Sequence, residues 1–322
     1  MKYPDIYYLP EWLYLYAPRD GENYGYYVLQ CEYGTVVYPH VRRKVPFSAE
    51  GKQYSDIITP YGFNGPYISE CLSKDKLLQA FDDDFSAYCE RNDIIAEYVR
   101  FSPWLKNHED FSRIYSLRDN GRTAAIELSV QNILTDEIKS KRRNEIRKAQ
   151  NEGVSVHFDF SGKSSEGFCD LYRDTVKKNG IGMYYQFTAP FIQEHFSALK
   201  NRVFIANAEI DGRIISSGIF IGLGDHLHYH LSANDYSSMK YQGNSLLLYE
   251  AALWGKENGF KYLHLGGVGA AKKSLMNFKM SFTHGEGFPF YIGTKIRNEY
   301  IYNALVGMNG DSKTNYFPVY RG

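Results

Sequence analysis

A lysine, a glycine and a serine stand near the predicted start of a helix, in the loop "SANDYSSMKYQGNSLLLYEA". The first backbone amides of a helix have no acceptor within the helix and carry partial positive charge, so they can bind a pyrophosphate. The residues predicted to bind a phosphate-bearing co-substrate are therefore Lys240, Gly243, Asn244 and Ser245.

A glycine-rich segment, "LGGVGAAKKSLMNFKMSF", follows further along the chain. It has neither the G-x-G-x-x-G nor the G-x-x-x-x-G-K-[ST] spacing, so a nucleotide-binding phosphate loop is not expected. Its glycines are expected to form the exit turn of a strand. Its second half carries Lys279 between Phe278 and Met280, where packing is expected to hold the lysine stem.

Three histidines alternate in "HLHYH", which would place His226, His228 and His230 on one face of a strand. Successive side chains on that face stand ~7 Å apart, too far for all three to bind one ion, so no metal site is expected. His230 is the candidate general base because it lies nearest the strand's end. Asn234 is a competing polar group there. No Ser-His-Asp or Cys-His order indicates covalent catalysis.

These residues need a sheet to position them. The pattern from residue 203 predicts three strands joined by tight turns, then a helix from Ser245 to about Asn258 and the strand "FKYLHL". A weak echo exists upstream, because "FSAYCERNDIIAEYVRF" and "ALWGKENGFKYLHLGG" both read as helix, polar turn and strand. Residues 24–46 read as a hairpin, and Ser73 is the expected N-cap of a helix.

A basic helix is predicted over residues 135–153, capped by Thr135 and ended by Gly153. Its body, "KSKRRNEIRKAQ", is typical of a solvated helix face. The alternative is a contact for the phosphate of a nucleotide sugar, a coenzyme or a tRNA. Glu145 and Glu152 partly offset the positive charge.

Composition limits the class of protein. The chain has 322 residues, which favours two domains, and a formal net charge of zero, which gives no reason to expect a nucleic-acid-binding or membrane-surface protein. No run of ~18 apolar residues predicts a membrane span. The four cysteines lack C-x-x-C spacing and are expected to be buried thiols of a protein in a reducing cytoplasm. The protein is expected to be a monomer or a weak dimer.

The chain resembles the Fem family of peptidoglycan aminoacyltransferases and its GNAT relatives. The resemblance includes "DIYYLPEW", "DIITPYGFNGP", "RRNEIRKAQNEGV", "LYRDTVKKNGIGMYYQF", "HLGGV" and "NFKMSF". The K-x-x-G-x-S of residues 240–245 is similar to the acyl-CoA signature [QR]-x-x-G-x-[GA]. The resemblance implies an α/β fold of two tandem GNAT-like domains, each a mixed, mostly antiparallel sheet flanked by helices. We expect domains at 1–138 and 139–287, with 288–322 packing back on the first.

The resemblance also implies site residues. Family members bind a UDP-sugar-peptide precursor through basic and tyrosine residues, and the matching positions are Arg42, Arg43, Tyr61, Lys178, Tyr184 and Tyr185. The family's phenylalanine–lysine motif matches Phe278 and Lys279, where the lysine would contact the acyl donor or stabilise the oxyanion. A fixed cation lowers the energy of a tetrahedral intermediate more than that of the ground state.

The expected function is transfer of an acyl group from acyl-CoA, such as acetyl-CoA, to an amine of a nucleotide-sugar, amino-sugar or other envelope-glycan precursor. Zero net charge and the lack of a long coiled coil favour this donor. The alternative is a tRNA-dependent aminoacyltransferase that acts on a peptidoglycan precursor. A second alternative is a GNAT-like pair that binds a glycan or peptide without catalysis.

Overall fold

Helices and strands follow one another through the described part of the chain, which in this computed structural model is residues 2–21, 23–179, 182, 186–267, 273–309 and 316–322. The first elements are α1 (Pro10–Asp20), β1 (Asn23–Cys31), β2 (Gly34–Ala49), β3 (Lys52–Ile58), β4 (Tyr67–Cys71), α2 (Lys74–Arg91), β5 (Ile94–Arg100), α3 (Asn107–Asp110) and β6 (Ser116–Glu127). They are followed by α4 (Ile133–Asp136), α5 (Ser140–Asn151), β7 (Ser155–Asp159), α6 (Ser165–Asn179), α7 (Ala189–Leu199), β8 (Val203–Ile210), β9 (Arg213–Leu223), β10 (His226–Asn234), α8 (Gly243–Glu257), β11 (Tyr262–Gly267), α9 (Lys273–Met280), β12 (Phe288–Ile296) and α10 (Glu299–Asn309).

Unit 1 contains Tyr7–Asn120 and Pro289–Gly322. In it β2 pairs antiparallel with β1, β3 and β4, β5 pairs parallel with β3, and β12 pairs antiparallel with β5. Helix α2 carries apolar side chains at four-residue spacing, which puts Leu77, Phe81 and Phe85 on one face. These three side chains are buried in a core with residues of β2, β3 and β5.

Unit 2 contains Gly121–Phe288 together with Pro4–Ile6. Strands β7 to β10 form an antiparallel meander, β11 pairs parallel with β10, and β6 pairs antiparallel with β11. Helix α8 buries Leu246, Leu247 and Ala251 against Phe204 and Phe220 of the meander. The predicted meander and the helix–strand pair that follows it are confirmed.

The echo seen in the sequence corresponds to a repeated arrangement. In unit 1, α2 leads to β5, which pairs parallel with β3, and in unit 2, α8 leads to β11, which pairs parallel with β10. The predicted fold class is confirmed: each unit is a mixed, mostly antiparallel sheet with helices. No helix in the described ranges is long and apolar enough to cross a membrane.

The domain boundary and one helix differ from the sequence expectations. The compact units divide between Asn120 and Gly121, and not at residue 139, because β6 beyond that point pairs with β11 of unit 2. The helix predicted to start at Thr135 is two helices, α4 and α5. Asn132 is the N-cap of α4, since its side chain accepts hydrogen bonds from the backbone N–H groups of Leu134 and Thr135.

The expectation of four buried thiols is wrong for Cys71. This residue is exposed at the end of β4 and Cys31 is partly buried, whereas Cys89 and Cys169 are buried.

A buried ion-pair network lies in unit 1. Arg297 Nε donates to Glu97 Oε1 at 2.5 Å and its Nη1 donates to Asp82 Oδ1 at 2.8 Å. The hydroxyl of Tyr115 donates to the second oxygen of Glu97 at 2.9 Å. The side chains of Arg297 and Glu97 are 3% and 0% exposed. The network therefore joins α2, β5 and the end of β12 through charges that compensate one another.

Removal of the arginine should destabilise unit 1 strongly. We expect Arg297→Met to lower the free energy of unfolding by about 3–5 kcal/mol, because Glu97 is then left buried without its counterion. Urea unfolding followed by circular dichroism measures the change. The control is Arg113→Met, which breaks the exposed pair with Asp75 and should leave the midpoint unchanged. Equal midpoints for the two variants would show that the buried network contributes nothing.

Candidate active site

A cavity of about 790 Å³ lies within unit 2, lined by residues of α6, β10, α8, β11, α9 and the turn after β10. Its walls combine aromatic rings with a few polar groups, as in most small-molecule sites. The lining includes these residues predicted from the sequence: Lys178, His230, Asn234, Asn244, Phe278 and Lys279.

An irregularity in β10 turns three consecutive side chains toward the cavity. Tyr229 pairs with Phe220 and Leu231 pairs with Ile219, so His230 is an extra residue in the ladder. Tyr229, His230 and Leu231 consequently all line the cavity. The bulge interrupts the alternation from which one shared strand face was expected for the three histidines.

His230 is poorly suited to act as a general base. Burial, together with the neighbouring His195 and His228, lowers the pKa of His230 well below its ordinary value. The ring of His195 lies with its centroid 5.7 Å from that of His230. The His230 imidazole is therefore neutral at pH 7 and a weak proton acceptor. It can still orient a substrate by hydrogen bonding.

Two asparagines present amide groups at the cavity. Asn244 Oδ1 accepts from the hydroxyl of Tyr229 at 2.9 Å, and Asn234 Oδ1 accepts from the hydroxyl of Ser216 at 2.7 Å. Because the amide oxygens are engaged, the NH₂ groups are the atoms that can donate to a substrate carbonyl. Such donors, fixed before the reaction, stabilise a developing oxyanion.

Two residues of the loop predicted to bind a pyrophosphate, Gly243 and Ser245, are packed into the interior of unit 2. Ser245 is 2% exposed, and its hydroxyl donates to Glu145 Oε2 at 2.8 Å and accepts from Arg142 Nη1 at 3.2 Å. A Cβ on Gly243 would lie 2.9 Å from Ile215 Cδ1, so a larger residue there would require the Ile215 side chain to shift. The structure therefore gives Gly243 and Ser245 packing roles.

Two backbone N–H groups just after Gly243 donate to the carbonyl of the residue before it. The backbone N–H groups of Ser245 and Leu246 both donate to the carbonyl of Gln242, at 3.0 and 3.3 Å. Lys240 is exposed with its Nζ 4.8 Å from the ring centroid of Tyr241. Of the residues predicted to bind the co-substrate, Asn244 is the one that lines the cavity.

Lys279 projects from α9 toward the end of β11. Its Nζ donates to the carbonyl of Gly267 at 3.0 Å, and burial lowers the pKa of this ammonium to about 8. Gly266 has a φ of +77° and lies so close that a Cβ there would be 3.3 Å from Lys279 Nζ. Gly266 and Gly267 belong to the end of β11 and not to an exit turn, and Gly269 lies outside the described residues. The positive φ of Gly266 lets the backbone pass beside the lysine.

Arg142 was not predicted as a site residue, although it supports one wall of the cavity. Its guanidinium lies 4.4 Å from the ring centroid of Phe278 and 5.2 Å from that of Phe282. Its Nε donates to the hydroxyl of Ser281 at 2.9 Å. In the sequence Arg142 is one basic residue among several, and nothing distinguishes it from its exposed neighbours.

A buried array of a carboxylate and imidazoles was also missed. His228 Nε2 lies 3.0 Å from Asp5 Oδ2, and His228 Nδ1 lies 3.3 Å from Nδ1 of His264. His226 Nδ1 is 3.6 Å from the same carboxylate oxygen. The histidine alternation indicated part of this array, but Asp5 is too distant in the sequence to be recognised. In the described ranges, no group of three or more His, Cys, Asp or Glu could hold a metal ion.

The predicted acceptor-binding residues lie in several places. Arg42 donates to Asn92 Oδ1 at 3.2 Å and Arg43 to the buried carboxylate of Asp56 at 2.7 Å, both in unit 1. The ring of Tyr61 stacks on Tyr16 with a centroid distance of 4.8 Å.

The remaining predicted residues are near α6. Lys178 Nζ lies 3.6 Å from the ring centroid of Tyr236 at the rim of the cavity. Tyr184 and Tyr185 lie outside the described residues. The substrate-binding roles of all six residues stay predictions.

Comparison with known proteins identifies the class. A family model described as an acetyltransferase (GNAT) domain matches residues 139–280. A tandem GNAT protein from the clavulanic acid biosynthesis pathway superimposes with a TM-score of 0.50 at 8% identity, over 89% of this chain and 94% of that one. Residues 139–280 thus match a GNAT domain, and the chain shares its fold with a tandem GNAT protein.

A more particular relationship comes from two further proteins. The crystal structure of FemX superimposes with a TM-score of 0.70 at 12% identity, over 94% of this chain and 95% of that one. The UDP-N-acetylmuramoylpentapeptide-lysine N(6)-alanyltransferase of Weissella viridescens is 25% identical over 271 residues, which cover 76% of this chain and 78% of the relative. The chain is thus similar in fold to FemX and similar in sequence to this alanyltransferase.

Lys279 should matter more for turnover than for stability. We expect Lys279→Met to lower kcat by about 10²-fold or more, because a charge beside the oxyanion is lost. The free energy of unfolding at pH 7 should stay equal or rise. The folded-state pKa of about 8 lies below the ordinary lysine value, so the ammonium opposes folding at pH 7 and this cost disappears as pH rises through that range. If kcat and the free energy of unfolding both decreased, we would conclude that Lys279 acts through packing.

The pH dependence separates a cation from a base at this position. Arginine stays charged throughout, whereas the Lys279 ammonium loses its proton as pH rises through about 8. If the cation is needed, the ratio of wild-type to Lys279→Arg turnover should fall between pH 7 and pH 9. Steady-state kinetics at saturating substrate measures this ratio. A rising ratio would mean that the neutral amine acts as the proton acceptor.

Proposed function

We propose that this protein transfers an aminoacyl group from an aminoacyl-tRNA to an amino group of a peptidoglycan precursor. The proposal is supported chiefly by the similarity to the Weissella viridescens alanyltransferase over about three quarters of both chains. It replaces the acyl-CoA reaction favoured in the sequence analysis with the alternative stated there. It keeps the cytoplasmic location expected from the sequence.

The contacts of the 240–245 loop support a donor other than coenzyme A. Gly243 packs against Ile215, and the Ser245 hydroxyl is bonded to Glu145 and Arg142. A ligand group that bonds to the Ser245 hydroxyl would have to compete with these two side chains.

The reaction is an attack of the acceptor amine on the ester carbonyl of the donor. A C–N bond forms, the ester C–O bond to the tRNA ribose breaks, and the amine proton ends on the leaving ribose oxygen, either directly or through a solvent molecule. The protein contributes mainly by holding both reactants in position and by stabilising the oxyanion. Lys279 supplies a cation, and the amides of Asn234 and Asn244 supply N–H donors at the same cavity.

The acceptor would be held by the residues expected from the family resemblance. Arg42, Tyr61 and Lys178 remain candidates for the nucleotide-sugar part of the precursor, together with Tyr184 and Tyr185. Arg43 is a weaker candidate, because its Nε is already paired with the buried Asp56 carboxylate. A lysine at 178 offers a point charge to a phosphate and no bidentate fork.

The proposal is tested by offering both donors to one acceptor. Purified protein is mixed with UDP-N-acetylmuramoyl-pentapeptide containing lysine and with alanyl-, seryl- or glycyl-tRNA, or with acetyl-CoA, and the product mass is read by mass spectrometry. We expect addition of one amino acid from an aminoacyl-tRNA and no acetylation. Lys279→Met is the control for background transfer.

Thermal shift gives an independent measurement. A ligand at 100 times its dissociation constant adds ~2.7 kcal/mol of stability, so the precursor should raise Tm while acetyl-CoA and coenzyme A should not. Acetylated product together with stabilisation by acetyl-CoA would overturn the proposal and restore the acyl-CoA reaction.

A further inference from the structure

Helix α5 has an exposed basic face, formed by Lys141, Arg147 and Lys148. Arg147 donates a hydrogen bond to the neutral side chain of Asn144 at 3.4 Å. None of the ion pairs found among the described residues involves these three cations. Their charges therefore face solvent.

The acidic residue of this helix does not offset that charge. Glu145 pairs with Arg142 and accepts from the hydroxyl of Ser245 at 2.8 Å, with the Glu145 side chain only 18% exposed. It thus compensates the buried guanidinium and not the exposed cations. Glu152, the C-cap residue of α5, is exposed and stands one turn after Lys148, so it offsets part of the charge of that lysine. Of the two acids, only Glu152 therefore reduces the charge of the exposed face.

The basic face adjoins the cavity of the same unit. Lys141 directly precedes Arg142, whose guanidinium lies over the ring of the cavity residue Phe278. The backbone N–H of Lys139 donates to the carbonyl of Ser281 at 3.1 Å, which holds the start of α5 against the end of α9. The amino-terminal end of α5 is thus packed against the wall of the cavity that contains Phe278.

The shape of this surface favours an extended polyanion. From Lys141 to Lys148 the helix rises by about 10 Å, at 1.5 Å per residue. A nucleic-acid duplex places a phosphate every ~3.4 Å of its axis on each strand, so the face spans about three phosphates. A single pyrophosphate would instead need a concave site, whereas these cations lie on one exposed side of a helix.

We propose that the basic face of α5 binds the phosphate backbone of the donor tRNA beside the cavity that receives its aminoacyl end. This inference rests on the proposed function for the identity of the donor. The contact is electrostatic and independent of sequence, as is usual for phosphate-binding cations. It explains how a chain with zero net charge can bind a polyanion, because the positive charge is concentrated where it is needed.

The test is reversal of the three charges. Lys141→Glu/Arg147→Glu/Lys148→Glu is compared with Lys163→Glu/Lys200→Glu/Arg202→Glu, which changes net charge equally at other positions of unit 2. Binding of deacylated tRNA is measured by fluorescence anisotropy over about 50 to 300 mM salt. We expect the first variant to bind about 10-fold or more weakly, with the slope of log K against log salt reduced by about 2 to 3. The control variant should bind tRNA with the wild-type affinity and salt dependence.

A minimal aminoacyl donor distinguishes a role of the basic face in tRNA binding from a role in catalysis. An aminoacylated adenosine has no phosphate to contact α5, so its turnover should be unchanged in the first variant while KM for full-length aminoacyl-tRNA rises. The neutral variant Lys141→Gln/Arg147→Gln/Lys148→Gln should also weaken tRNA binding. It replaces the charge-reversal variant in the test if charge reversal disturbs folding. Unchanged tRNA affinity and salt slope in both α5 variants would overturn the inference.

The two proposals fail in different ways. If no aminoacyl-tRNA supports turnover in wild type, the proposed function fails whatever the anisotropy shows. If turnover occurs but both triple variants of α5 keep wild-type KM for full-length donor, the function stands and this surface is only a solvated helix face.

Discussion

Arg142 is a buried cation, and much of the cavity wall depends on how its charge is compensated. A guanidinium removed from water must find counterions and hydrogen-bond acceptors, or the chain does not fold around it. Arg142 finds them in Glu145 of its own helix, Ser245 of α8 and Ser281 after α9, while its flat faces meet Phe278 and Phe282. One side chain thus fixes three elements of unit 2 relative to one another.

This constraint is important because α9 depends on contacts with other elements to keep its position. Its eight residues contain no fully buried side chain, and a helix of that length is marginal in water without tertiary contacts. The stacking of Arg142 on Phe278 and the hydrogen bond from Lys279 to Gly267 provide such contacts. The residue proposed for oxyanion stabilisation is therefore positioned by its neighbours more than by its own helix.

Much of the fold could be predicted because its signals are local. The meander shows two-residue periodicity and tight turns, and α2 shows apolar side chains every four residues. The start of α4 was misplaced because Asn132 and Thr135 are both good caps, and the choice depends on which backbone N–H groups each can reach.

The site was harder to predict because it depends on contacts between distant parts of the chain. The bulge at His230 changes which side chains face the cavity, and nothing in "HLHYH" marks it. Ser245 looked like a ligand-binding hydroxyl, but Glu145, a hundred residues earlier, turns it inward. Lys279, Asn234 and Asn244, which the sequence singled out for different roles, all line one cavity, and those roles stay predictions. Which polar groups are already engaged follows only from packing.

The association of Pro4–Ile6 with unit 2 affects how the protein can be divided. Asp5 is fully buried beside His226 and His228, although most of unit 2 begins at Gly121. An excised fragment of residues 121–288 would contain the cavity but would leave these imidazoles without their carboxylate. Pro4–Ile6 are thus an integral part of unit 2, and changes to this segment act on the interior of that unit.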